Sequence, residues 1–85
     1  MRTRIENEIF AKLNEKYTVD VNHEQDVTLI SVENNGAGMY VTVDSKLLTV
    51  NYTPNKEDDF EEILVRKLEL VDTTTLCVRI SNLLG

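Results

Sequence analysis

Residues that carry covalent and metal chemistry are scarce in this 85-residue sequence, which holds one cysteine, one histidine, one proline and three glycines. With Cys77 alone, no intramolecular disulfide and no cysteine-based metal cluster can form, and a reducing compartment fits best. His23 lies in a polar run beside Glu24 and Asp26. Neither Cys77 nor any serine therefore has an evident base at hand, and no Gly-x-Ser-x-Gly motif is present. Gly36 and Gly38 fall between two expected strands, not between a strand and a helix, and no Gly-Lys-Ser/Thr follows them, which argues against a phosphate-cradling loop. EF-hand spacing is missing as well. The expectation is a non-enzymatic protein with no catalytic residues, no metal ligands and no cofactor.

Positive charge is also in short supply. Nine Lys and Arg face fifteen Asp and Glu, a formal charge of −6 and a pI near 4.6. Such a field opposes approach to DNA, RNA or an anionic membrane and favours a protein partner with a basic surface, one kind of which handles nucleic acid itself. The N-terminus, Met1-Arg2-Thr3-Arg4-Ile5-Glu6, lacks an apolar signal core, and no run is long enough to cross a bilayer. A cytoplasmic location is expected, in the host cell if the chain is phage-encoded.

What is present suits one folded unit spanning residues 1–85. Hydrophobic residues make up 41 % and charged residues 28 %, away from the composition of disordered chains. Thr3 and Glu6 have capping-box spacing, and Ile5, Ile9, Phe10 and Leu13 recur on one helical face, so the pattern predicts a helix over about 4–16. From Tyr17 the period becomes two. Strands are predicted at 17–21, 27–33, 39–43 and 47–52, with Ile30, Val32, Met39, Val41, Val43, Leu48, Val50 and Tyr52 pointing inward. Turns at Asn34-Asn35-Gly36-Ala37-Gly38 and Asp44-Ser45 separate them.

Thr53-Pro54-Asn55 ends the sheet, and Asn55 reads as the cap of a second helix with Phe60, Ile63, Leu64 and Leu68 as its apolar stripe. Asp72 and three threonines break that helix, and Leu76, Val78 and Ile80 alternate as a last strand. The predicted fold is α+β, a mainly antiparallel sheet of about five strands with two helices on one face, in the order α-β-β-β-β-α-β. The other face would carry Thr18, Asp20, Tyr40, Thr42, Thr49, Asn51, Cys77 and Arg79.

Charge is densest at Lys56-Glu57-Asp58-Asp59-Phe60-Glu61-Glu62, with five carboxylates in six residues. In the first turns of a helix these acids complement the dipole and aid solubility. They can equally serve as a patch that meets Lys and Arg on a partner. The candidate partner-binding residues are Glu57, Asp58, Asp59, Glu61 and Glu62, with Glu24 and Asp26 as a second group.

Lys16-Tyr17-Thr18-Val19-Asp20-Val21 directly after a short helix, and Asn34-Asn35-Gly36 ahead of Tyr40-Val41, resemble the corresponding segments of small acidic phage-encoded anti-CRISPR proteins. The resemblance covers roughly residues 10–45. It implies an inhibitor that occupies the DNA-binding surface of a CRISPR effector nuclease by imitating duplex phosphates. In those inhibitors the turn after the paired asparagines is acidic and takes part in the mimicry, whereas here it reads Gly36-Ala37-Gly38-Met39. No functional residue carries over at that turn, and a DNA mimic built from this chain would draw on Glu57 to Glu62. The alternative is a homo-oligomeric structural or accessory protein of a phage or bacterium, with no nucleic-acid-related target, whose copies pair through a sheet edge or the Leu83-Leu84 tail. Between the two readings the chain is expected as a monomer or a homodimer.

Overall fold

The computed structural model describes residues 2–85. Its elements are α1 (Arg2–Asn14), β1 (Val19–His23), β2 (Thr28–Asn34), β3 (Ala37–Val43), β4 (Leu47–Thr53), β5 (Glu61–Lys67), a short 3-10 turn (Leu68–Leu70) and α2 (Thr73–Leu84). The strands form one antiparallel meander in the order β1-β2-β3-β4-β5, each paired with its neighbour in sequence. The α+β class, the five-stranded antiparallel sheet and the two helices agree with the sequence reading; the order is α-β-β-β-β-β-α.

The last two elements exchange their predicted types. Residues 61–67 form β5 instead of a second helix, because Val50 and Thr49 of β4 offer Leu64 and Val65 a ladder, and the pairing buries apolar surface beside β4. A short run such as Ile63-Leu64-Val65 fits either period, and tertiary pairing decides it. Conversely, residues 73–84 form α2 and not a strand. Asp72 Oδ1 accepts the backbone N–H groups of Thr74 and Thr75 at 3.0 and 3.2 Å, so the residue read as a breaker is the N-cap. Leu76, Cys77, Ile80 and Leu84 then share one buried face, while Val78, expected inward on a strand, is 57 % exposed.

One register line through the sheet sets the two faces. Val21, Ile30, Val41, Val50 and Leu64 stand side by side, and the flanking inner lines add Val32, Met39, Val43 and Leu48. From Ile30 to Val50 these residues are essentially inaccessible, and Ile5, Ile9 and Leu13 of α1 close over them together with Leu76, Ile80 and Leu84 of α2. Both helices thus lie on one face, packed on each other. The N-terminal capping box does not form. The helix already includes Arg2, whose Nε donates to the buried carboxylate of Glu6 at 3.0 Å. The opposite face presents Asp20, Leu29, Tyr40, Thr42, Thr49, Asn51 and Val65. Cys77 and Arg79, expected there, belong to α2.

Two tight turns fix the register. Asn35 (φ +52°) and Gly36 (φ +85°) form a two-residue hairpin connection whose positive φ angles match the strand twist. Asp44 Oδ1 accepts the backbone N–H groups of Lys46 and Leu47, both at 2.7 Å, and closes the β3–β4 turn.

Candidate functional site

The acidic segment sits on the β4–β5 connection, a loop with no helix beneath it. Helix-dipole compensation therefore accounts for none of Glu57, Asp58 and Asp59. All three are exposed. Glu61 and Glu62 open β5, opposite Tyr52 and Asn51 respectively, and so stand on different faces of the sheet, Glu61 towards the helices and Glu62 towards the open side. Among the described residues none of these five carboxylates takes part in an ion pair.

Hydrogen bonds tether the loop between Thr53 and Asp58. Thr53 Oγ1 donates to the carbonyl of Asn55 at 2.7 Å, and the Asn55 side-chain oxygen accepts the Glu57 N–H at 3.1 Å. The Asp58 N–H returns to the Asn55 carbonyl at 2.8 Å, and the Lys56 N–H reaches across to the carbonyl of Gly36 at 2.8 Å. Lys56 Nζ also pairs with Glu33 of β2. Phe60 anchors the far side: its ring lies 4.6 Å from that of Tyr40, tilted by 38°, and covers Gly38 so closely that a Cβ there would lie 3.0 Å from the ring. Glycine at 38 is what lets the ring lie down on the sheet. The acids are thus held on a mount of backbone hydrogen bonds and one aromatic anchor.

Glu24 and Asp26 are not part of this group. They lie in the β1–β2 turn, at the end of the sheet that also carries the β3–β4 turn, whereas the β4–β5 loop joins the β2–β3 turn at the other end. Seven-residue strands separate the two ends by roughly 20 Å. Asp26 instead lines a shallow depression with Asp44, Lys46, Lys67 and Glu69, where both signs of charge mix. The predicted residues therefore form one acidic loop, two acids at the head of the edge strand, and a separate pair at the opposite pole.

Lys56, Glu33 and Phe60 were not legible as the loop's supports, although Phe60 amid five acids is the signal that an anchor is needed there. Elsewhere, His23 Nδ1 lies 3.1 Å from Thr28 Oγ1, which also accepts from Arg2 at 3.0 Å, so the imidazole helps tie α1 to the β1–β2 hairpin. Cys77 is buried against α1, and loss of hydration pushes its thiol up to about 11, so it is protonated at neutral pH. Among the described residues no group of three or more His, Cys, Asp or Glu comes together in a metal-holding arrangement, and no helix is long and apolar enough to cross a membrane. No family model, curated protein or solved structure matches the chain.

Proposed function

We propose that this chain is a non-enzymatic binding protein that presents the acidic β4–β5 loop to a basic, nucleic-acid-binding surface of a target protein, in the manner of a phage or mobile-element inhibitor. The observation that carries this reading is that Glu57, Asp58 and Asp59 are exposed, without ion-pair partners among the described residues, and mounted on a loop tied to Thr53 of β4, to the β2–β3 turn at Gly36 and to Glu33 of β2. Pre-ordered charges bind a complementary cluster without the entropy loss that a floppy acidic segment would suffer. The net charge of −6 adds long-range attraction to a basic cleft.

The resemblance to anti-CRISPR inhibitors supports the same reading at one point. The β2–β3 turn after Asn34-Asn35 is not itself acidic, but the Lys56 N–H bond to Gly36 holds the acidic loop beside it. The carboxylates occupy the same end of the sheet, supplied by the neighbouring connection. CRISPR effector nucleases are accordingly the first targets to test.

In a competition assay, the wild-type chain is expected to displace duplex DNA from such a nuclease and to suppress cleavage. The triple variant Glu57→Lys, Asp58→Lys, Asp59→Lys is expected to fold normally and to lose about tenfold or more in displacement. Displacement that is unaffected by the triple reversal, or absent from the wild type across a panel of effectors, would overturn this function.

A further inference from the structure

Strand β5 ends the sheet: it is hydrogen-bonded to β4 on one side only, so its other edge offers a row of unpaired backbone groups. Its sequence, Glu61-Glu62-Ile63-Leu64-Val65-Arg66-Lys67, runs from two acids through three apolar residues to two bases. Natural edges are blunted by charge, but a strand whose charge reverses sign from one end to the other repels itself in one orientation and attracts itself in the other. We propose that β5 pairs antiparallel with β5 of a second copy of this chain, about a two-fold axis at Ile63 and Leu64, joining the two sheets into one.

The geometry of the strand distributes the charges to suit. The irregularity in pairing between Val50 and Asn51 lets the strand change phase at Ile63. As a result Glu61 and Arg66 stand in the inner register lines, opposite Tyr52 and Leu48, while Glu62 and Lys67 stand in the outer ones, opposite Asn51 and Leu47. Each face of the edge therefore carries one acid near the start and one base near the end. Antiparallel pairing about Ile63 and Leu64 sets Glu61 of one copy opposite Arg66 of the other on the helix-covered face, and on the open face sets Glu62 opposite Val65, diagonally next to Lys67 and within reach of its long side chain. A parallel arrangement would stack acid on acid. Among the described residues none of the four forms an ion pair.

Two further features of this edge fit a second copy. Val65 is 42 % exposed, and Ile63 and Leu64 are only half-buried, so the apolar centre of β5 has surface left to cover. A cavity of about 170 Å³ lies between β5 and α2, floored by Leu48, Leu64 and Leu76 and lined by the guanidinium side chains of Arg66 and Arg79. A carboxylate delivered to Arg66 by Glu61 of the second copy meets Arg79 across the same groove. The β1 edge lacks this self-complementarity, since Val19-Asp20-Val21-Asn22-His23 has one acid and no Lys or Arg. The interface is isologous and closes at two copies, leaving Glu57, Asp58 and Asp59 in solvent.

Sedimentation equilibrium is expected to give a reversible species of twice the 9.7 kDa chain mass. The variants Glu61→Lys/Glu62→Lys and Arg66→Glu/Lys67→Glu should each self-associate about a hundredfold more weakly, and mixing them should restore the dimer because the reversed charges again match. Amide exchange on the wild type gives a reading independent of any variant: β5 N–H groups that face away from β4 become protected as concentration rises. A wild type that stays at the single-chain mass with those amides unprotected, or charge-reversed variants that dimerise as tightly as the wild type, would overturn the proposal. Because the readout is mass and not target binding, its outcome is separate from that of the DNA-displacement assay.

Discussion

Asp44 shows how far one side chain sets local structure here. Its Oδ1 accepts the backbone N–H of Leu47 and that of Lys46, and these bonds hold the carboxyl below the ordinary Asp range. The folded chain therefore binds this proton less tightly than the unfolded chain. The stabilisation is complete above the unfolded value and is lost as pH falls through the lower folded one. Asp44→Ala is expected to lower stability by about 1 kcal/mol at neutral pH. In urea titrations the gap between variant and wild type should narrow as the pH is taken below about 4. The sequence made this turn legible, since Asp-Ser between two alternating runs has a mechanism. It did not reveal that Glu6, read as the partner of Thr3, accepts instead from Arg2, because the Arg2 side chain is oriented by Asp26 and Thr28 of the β1–β2 hairpin, far along the chain.

At the scale of elements, α1 and the first four strands follow from periodicity because each has a long, one-sided pattern with turn residues at both ends. The second half was harder for a physical reason. Leu64 and Val65 can alternate or stack every third or fourth place, and the open edge of β4 settles the matter. Likewise the threonines at 73–75 read as breakers until Asp72 is seen capping them. The exchange alters the candidate site more than the fold class, since it takes the five acids off a helix and places three on a loop and two on a strand. Phe60 is the element's anchor, and Phe60→Ala is expected to remove about 0.5–1.5 kcal/mol of ring pairing beyond its area burial. Amides of Lys56 to Asp59 should then exchange faster, while those of β3 keep wild-type protection. If the loop amides are unchanged, Phe60 is not what holds the acids in place.

For the molecule as a whole, all strand pairings join neighbours in sequence, whereas the helix layer brings the first element against the last. Ile9 of α1 is fully buried at that junction. Truncation to alanine should cost about 2–5 kcal/mol, a large share of the roughly 4–13 kcal/mol expected of a domain this size. The meander can assemble hairpin by hairpin with little loop-closure entropy at each step, but the two helices meet only after the whole intervening chain has been laid down. Ile9→Ala should therefore leave the refolding limb of a chevron nearly unmoved and raise the unfolding limb. The α1–α2 contact then acts as a latch: it adds little to the speed with which the native state is reached and much to how long that state lasts.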